Sequence, residues 1–279
     1  MWTGRYIMRI LSLGAGVQSS TLALMIERGD LPMVDAAIFA DTKGEPKEVY
    51  DWLDWLETKL SYPIYKVSLG NLKQDTIDTA KGKTKYKFVH IPFFTHNKDT
   101  NKKGLLQRQC TGLYKINPVN QYVRKLLGLK KGQHRKKGTN VEMLMGISYD
   151  EMFRMRTNQI KWITNVYPLV DLKIKRKDCE KWFTKYYNKV PPRSACTFCP
   201  YKTNTEWLHL KNNYPKEWDD VIKFDKQIRR GTKTDSKIYL HRSCKPLDQV
   251  DLENLKTSNQ IELFEGNGLV DECDGMCGV

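Results

Sequence analysis

Residues 9 to 21 read Arg-Ile-Leu-Ser-Leu-Gly-Ala-Gly-Val-Gln-Ser-Ser-Thr, and this stretch decides the fold. The apolar run from Ile7 to Leu13 predicts a short buried strand. Gly14 to Gly16 predict a turn of small residues, after which an apolar helix runs to Ile26. A glycine turn between a strand and a hydroxyl-rich helix start presents free backbone N–H groups to an anion. The same pattern also occurs in turns that bind nothing, so this stretch alone leaves both interpretations open.

Two further strand patterns follow. Asp35 to Ala40 predicts a second buried strand, Pro46 marks the start of a helix, and Pro63 to Val67 predicts a third strand. Successive β–α–β units are typical of a parallel, Rossmann-like sheet, in which ligands bind at the carboxyl ends of the strands. We therefore expect an α/β fold with the glycine turn and Asp41-Thr42 at one edge of the sheet.

The remaining chain predicts several further elements and one boundary. Residues 70 to 108 are polar and predict a long excursion from the sheet. The later patterns predict a helix over Val119 to Leu127, a strand over Val141 to Ile147 and a helix over Lys177 to Tyr187. Because the composition changes at Pro191-Pro192, we expect a nucleotide-binding domain over 1–190 and a cysteine-bearing C-terminal region over 191–279.

Composition narrows the class of protein. The chain has 279 residues, of which 40% are hydrophobic, enough for a sizeable core in one large domain or in one domain with a smaller appendage. There is no apolar run of membrane-spanning length and no signal-peptide pattern, so we expect a cytoplasmic protein without a membrane partner. Seven cysteines in such a chain indicate metal, cluster or redox chemistry before structural disulfides.

The charge points to polyanionic partners. The formal net charge is +15, and the segment Arg124 to Lys137 contains seven basic residues and no acidic one. Such a segment suits nucleic acid, either tRNA or DNA, although a solvated loop has the same composition. Aromatic residues among the lysines would add stacking on bases.

Several motifs resemble those of one enzyme family. The stretch Ser12 to Ser20 resembles the nucleotide-binding loop of the PP-loop, or adenine nucleotide alpha hydrolase-like, superfamily, and within it the loop of phosphoadenylyl-sulfate (PAPS) reductases. Cys110 to Pro118 is similar to the Cys-Cys-x-x-Arg-Lys-Val-x-Pro segment of the iron–sulfur sulfonucleotide reductases, with Thr111 in place of the second cysteine. Other segments that fit in order are Phe39 to Thr42, Gly146 to Arg154 and Tyr167 to Asp171.

The resemblance implies an adenine nucleotide, PAPS or ATP, as ligand. Gln18 stands where ATP-using members carry Asp, which argues against magnesium-assisted ATP cleavage. Asp41 suits a ribose hydroxyl or a cation, but it also suits a helix N-cap. Lys115 and Arg154 would neutralise phosphate charge. The expected nucleotide-binding residues are Ser12, Gly14, Ala15, Gly16, Gln18, Ser19, Ser20, Asp41, Thr42, Lys115, Gly146 and Arg154.

The cysteines predict a thiolate-bound metal. Cys196 and Cys199 form a CxxC pair, and Cys273 and Cys277 form a second close pair near the C-terminus. Two such pairs suit a tetrahedral zinc site, and the same thiolates suit an iron–sulfur cluster. The resemblance implies a [4Fe-4S] cluster held by Cys110 and the CxxC pair, with its fourth ligand from one of the remaining cysteines, Cys244, Cys273 or Cys277.

Three functions remain compatible with these features. The first is a PAPS reductase-like enzyme in which Cys273, Cys277 and Lys115 are catalytic and a thiol reductant protein is the redox partner. The second is a PP-loop enzyme that thiolates or otherwise modifies tRNA or DNA. The third is a non-catalytic nucleotide-binding protein with a structural zinc. For Cys179 and His241 we expect packing rather than chemistry.

Overall fold

The computed structural model describes residues 7–84, 91–97, 99–135, 138–230 and 236–253. Its strands are β1 (Ile7–Leu13), β2 (Ala36–Ala40), β3 (Ile64–Val67), β4 (Phe94–Asn97), β5 (Lys103–Leu105), β6 (Asn140–Met145), β7 (Ile163–Val166) and β8 (Ser236–Tyr239). Its helices are α1 (Val17–Glu27), α2 (Lys47–Glu57), α3 (Leu72–Ala80), α4 (Asn117–Leu126), α5 (Pro168–Asp171), α6 (Arg176–Tyr187), α7 (Asn204–Asn213) and α8 (Pro215–Ile228).

The main sheet has five parallel strands in the order β3-β2-β1-β6-β7. The central strand β1 is almost continuously apolar because both of its faces are covered. The chain continues outward on one side through β2 and β3, and on the other through β6 and β7. The order reverses between β1 and β6, and this switch point is where open α/β sheets bind ligands. The predicted Rossmann-like α/β fold is confirmed.

Successive side chains of β1 point to opposite faces of the sheet and pack into two different apolar layers. Leu11 and Leu13 belong to a cluster built with residues of α1, α2 and α6. Ile10 belongs to the opposite cluster, which includes Val119 and Val123 of α4. The sheet is therefore sandwiched between helices, and its strand ends are left to the loops that form the candidate site.

A second sheet lies outside the Rossmann-like unit. Strands β5, β4 and β8 form an antiparallel sheet in that order. Its neighbours share a third apolar cluster, in which Phe93 and Ile77 pack with Trp207, Phe224 and Ile238. Side chains from before and after residue 190 therefore contribute to one cluster, and the boundary near 190 stays a prediction.

Residues 70 to 108, which the sequence predicts as a polar excursion, contain the helix α3 and the strands β4 and β5. Asn71 caps α3, because its side-chain oxygen accepts a hydrogen bond from the backbone N–H of Gln74 at 3.0 Å. Strands β4 and β5 then form a hairpin that pairs with β8. Within the described part of the chain, no helix is long and apolar enough to cross a lipid bilayer.

Candidate functional site

The glycine turn lies at the carboxyl end of β1, beside the switch point. Ala15 adopts a φ of 59°, a left-handed conformation that is uncommon for a residue with a Cβ atom. Ser19 Oγ accepts a hydrogen bond from the backbone N–H of Gly14 at 3.2 Å and holds the turn closed. Gly16 is the N-cap residue of α1 and provides no side-chain cap, so the first N–H groups of this helix suit an anion.

The three predicted phosphate-binding hydroxyls are buried within the protein. Ser12, Ser19 and Ser20 are each at most 1% exposed. Ser20 Oγ accepts a hydrogen bond from Trp52 Nε1 at 3.0 Å, while Ser12 Oγ has no partner among the described residues. The role of these side chains in binding stays a prediction.

Gln18 belongs to a hydrogen-bond network that connects α1, α6 and the residues after β6. Its Oε1 accepts a hydrogen bond from Arg176 Nη1 at 3.0 Å, and its Nε2 lies 3.5 Å from Ser148 Oγ. Arg176 begins α6 and Ser148 follows β6, so neither could be assigned to Gln18 from its position in the chain. The network fixes the first turn of α1 next to the end of β6.

Gly146 provides the space that α1 needs. A Cβ atom at this position would lie 2.7 Å from the backbone N of Ser19 and 2.8 Å from its Cα. Only glycine fits this close approach between the end of β6 and the first turn of α1. The predicted cofactor residue Gly146 thus contributes through packing of the glycine turn.

Asp41 follows β2 and is held by its neighbours. Its carboxylate accepts hydrogen bonds from the Tyr50 hydroxyl at 2.8 Å and from the backbone N–H of Lys43 at 2.7 Å. Lys43 Nζ forms an ion pair with the same carboxylate at 2.7 Å. Burial, followed by the hydrogen bond to Asp41, raises the pKa of Tyr50. The N-cap residue of α2 is Pro46, so the N-cap alternative for Asp41 is wrong.

Cys110 and the CxxC pair, which are distant in sequence, meet at one cavity beside Thr42. Cys110, Cys196 and Cys199 line a cavity of about 30 Å³. Cys110 immediately precedes a π-helix, Thr111–Ile116, that continues into α4 and carries Lys115 into the wall of the same cavity. Helices of this wide type occur frequently at functional sites. We name this group of residues the cysteine cavity.

A buried carboxylate that the motifs did not reveal adjoins the cysteine cavity. Glu45 Oε1 lies 3.6 Å from Lys115 Nζ and 3.9 Å from Cys196 Sγ, and Thr42 Oγ1 lies 3.2 Å from the same sulfur. Burial, reinforced by the charge of Glu45, raises the pKa of the Cys196 thiol well above its usual value. An uncomplexed Cys196 is therefore a protonated thiol, and a thiolate there needs a cation beside it.

The cysteine cavity does not converge on a single ion. Among the described residues, no group of three or more His, Cys, Asp or Glu side chains is arranged to hold a metal ion. The other two predicted ligands, Cys273 and Cys277, lie outside the described residues, and so do Lys136 and Lys137 of the basic segment. Their predicted roles stay predictions.

Arg154, Cys179 and His241, which the sequence analysis also singled out, are buried among other side chains. Arg154 is buried and forms an ion pair with Glu151, which is also buried. Cys179 is fully buried in α6, and burial raises its pKa to about 12. His241 is buried between Asn204 and Ser243, in agreement with the expected packing role.

Comparisons with known proteins give distant similarities. No protein-family model matches the chain. A stretch of 128 residues, 42% of the chain, is 27% identical to an uncharacterised protein of Methanocaldococcus jannaschii, of which it spans 29%. Among solved structures, PAPS reductase from Candida auris in its phosphate complex is similar over 68% of this chain and 76% of that chain, with 15% identity and a TM-score of 0.41.

Proposed function

We propose that the protein is a PAPS reductase-like enzyme that binds an adenine nucleotide and carries out sulfur or redox chemistry at the cysteine cavity. The observation that carries this proposal is the meeting of Cys110, Cys196 and Cys199 with Lys115 at one cavity. The cavity adjoins Thr42 at the end of β2, the strand next to the one that carries the glycine turn. A nucleotide bound by the turn would extend toward the sulfur atoms.

Nucleotide binding is supported by the glycine turn. The uncapped start of α1 supplies N–H groups and the positive end of the helix dipole, both of which favour phosphate. Replacing Gly16 by Val would place a branched side chain where the phosphate approaches. Isothermal calorimetry with ATP, AMP and PAPS tests this, and unchanged affinity for all three would contradict the proposed site.

For the cysteine cavity we propose a thiolate-bound cluster rather than a single ion. A tetrahedral ion needs its ligands to converge on one point, which the described side chains do not do. Cluster thiolates bind different iron atoms, so they need only surround a common space. A [4Fe-4S] cluster held by Cys110, Cys196 and Cys199 would supply electron transfer, while Lys115 would bind and orient an anionic substrate beside it.

Anaerobic purification with iron, sulfide and zinc analysis tests the cluster. We expect brown protein whose visible absorbance disappears in Cys110→Ser. Cys179→Ser is the matched control, since this cysteine is buried in α6 away from the cavity, and it should keep the colour. Colourless protein with one zinc per chain would favour the non-catalytic alternative, in which Cys196, Cys199, Cys273 and Cys277 form a structural site.

A further inference from the structure

A polar cleft runs along the edge of the main sheet that β7 forms. β7 is the edge strand, and its Asn165 lines a cleft of about 230 Å³ against α4. A second cleft of about 340 Å³ continues along β7 past Arg156 and Lys161. The two clefts share Asn158 and Asn165, so they form one continuous surface, which we name the β7 cleft.

The chemistry of the β7 cleft is cationic and rich in amides. Arg124, Arg156 and Lys161 line it, and no described residue that lines either part carries a carboxylate. Asn117, Asn120, Asn158 and Asn165 contribute side-chain amides. Cations bind phosphates, and Asn or Gln amides match the hydrogen-bonding edges of bases. The same surface therefore offers cations for phosphates and amides for base edges.

One amide oxygen of the β7 cleft is unpaired within the part of the chain that the structure describes. Asn120 Oδ1 is buried and has no hydrogen-bond partner among the described residues. Asn158 and Asn165, in contrast, are fixed by each other, because Asn158 Nδ2 donates to Asn165 Oδ1 at 3.1 Å. A buried amide oxygen without a partner is costly, and because Asn120 lines the cleft, a rotation of its side chain would let a donor on a bound ligand remove that cost.

An exposed aromatic residue, Phe153, precedes Arg156 of the cleft by three positions in the chain. Phe153 is 59% exposed, and Arg156 Nη1 donates to its carbonyl oxygen at 2.8 Å. Met152 beside it is 50% exposed. Single-stranded nucleic acids stack their bases on exposed rings of this kind where cations bind the neighbouring phosphates. The other end of the cleft begins at Ile116 and Asn117, directly after Lys115 of the cysteine cavity.

We infer that the β7 cleft binds a single-stranded nucleic acid segment, with phosphates on Arg156 and Lys161, one base stacked on Phe153 and one base edge on Asn120. This site differs from the predicted segment Arg124 to Lys137. The two share only Arg124, whose Nη2 donates to the carbonyl oxygen of Gln133 at 2.6 Å, much as Arg156 Nη1 donates to that of Phe153 at 2.8 Å.

Fluorescence anisotropy with labelled 12-nucleotide single-stranded DNA and RNA tests the inference. We expect binding at low salt that weakens linearly in log–log form as salt rises. The double variant Arg156→Gln/Lys161→Gln should flatten that slope by about 1.4, which corresponds to two lost phosphate contacts on a single strand. The matched control is Lys181→Gln/Lys223→Gln, which removes the same charge from exposed positions on α6 and α8 and should leave the slope unchanged.

Stacking and base contact are tested separately. Phe153→Ala should weaken binding roughly tenfold while keeping the salt slope, because stacking carries no charge. Val190→Ala, at a side chain of 54% exposure outside the cleft, should leave the affinity unchanged. Asn120→Leu should weaken binding without changing the slope. If that variant folds poorly, Gln159→Ala, at an exposed position of the same cleft, replaces it.

Three results would overturn the inference. The first is no binding of either oligonucleotide at about 50 mM salt. The second is an equal effect of the cleft and control variants, which would assign binding to the general positive charge. The third is preferential binding of duplex competitors, which would exclude a stacking site. Since these readouts involve neither adenine nucleotide nor iron, they stand apart from the tests of the proposed function.

Discussion

At the scale of single residues, the space at Gly146 decides whether the glycine turn can form. Because the atoms that a Cβ would meet belong to the Ser19 backbone, they cannot move aside as a flexible side chain would. We expect Gly146→Ala to lower the free energy of unfolding by about 1–3 kcal/mol and to weaken nucleotide binding, as measured by urea denaturation and calorimetry. Gly112→Ala is the control, since its Cβ would meet nothing within 4 Å. Equal stability of both variants would contradict the packing role.

His241 makes the stability depend on pH. Burial, and next the charge of Arg242, lower its pKa to about 4. The unfolded chain binds a proton below about pH 6.5, whereas the folded chain binds it only below about 4, so stability falls as pH drops through this window. We expect His241 to contribute a loss of about 3 kcal/mol across the full window.

Urea denaturation between pH 7 and pH 4 measures this loss. The variant His241→Gln keeps a donor and an acceptor for Asn204 and Ser243 but cannot titrate, so its stability should depend less steeply on pH. Parallel pH profiles for the two proteins would show that other groups dominate.

At the scale of elements, the end of β2 determines where the CxxC segment lies. A Cβ atom on Gly44 would stand 2.5 Å from the Phe198 ring, and Thr197 N–H donates to the Gly44 carbonyl oxygen at 2.8 Å. We expect Gly44→Ala to destabilise the fold by about 1–3 kcal/mol. Adding Phe198→Leu should recover part of that loss, because the ring no longer fills the space. Strictly additive effects in urea denaturation would mean that the two positions are not coupled.

Asp225 connects α8 to the chain that follows it. Its buried carboxylate accepts hydrogen bonds from the backbone N–H groups of Leu240 at 3.2 Å and Leu247 at 3.1 Å, and it pairs with Arg229. Asp225→Asn leaves the Arg229 charge uncompensated and should cost about 3–5 kcal/mol in chemical denaturation. On the same helix, Asp220→Asn breaks only an exposed ion pair with Lys73 and should cost less than about 1 kcal/mol. Similar losses for the two variants would refute the connecting role.

Four of the five strands of the main sheet could be predicted because their signals are local, whereas β7 (Ile163–Val166) was not predicted. β1 spans Ile7–Leu13 as its apolar run indicates, and α6 begins one residue before the predicted start. In α3, two of the buried positions are Thr76 and Thr79, so its inner face has no apolar periodicity to detect. β4 was missed although its partner β5 is local, because three of its four residues are polar, and its other partner β8 lies about 140 residues further along the chain.

The candidate site likewise contains some residues that the sequence predicts and others that it does not. The motifs predict the glycine turn and the grouping of Cys110 with the CxxC pair. Glu45 and Arg176 were missed because each acts through a partner more than 150 positions away, Cys196 for the first and Gln18 for the second. These two contacts form only because the elements pack in this topology. No local pattern in the sequence indicates them.

At the scale of the molecule, the third apolar cluster determines how the protein unfolds. Residues before position 190, such as Phe93 and Tyr114, share it with Phe198, Trp207 and Phe224 from after that position. Neither group can bury its apolar surface without the other, so the clusters should lose their structure together. We expect one unfolding transition in urea, with the same midpoint by far-ultraviolet circular dichroism and by tryptophan fluorescence.

Tryptophan positions allow the two parts to be followed separately. Trp52, Trp55 and Trp182 lie in the cluster on the sheet, while Trp207 and Trp218 lie in the third cluster. A variant with Trp207→Phe and Trp218→Phe reports mainly the first part, and its fluorescence midpoint should equal its circular dichroism midpoint. A second, separate transition would mean that residues 191–253 fold as their own unit, as the predicted boundary near 190 would allow. A fragment of residues 1–190 should then be stable alone, whereas a shared cluster predicts that it exposes Phe93 and Tyr114 and binds a hydrophobic dye.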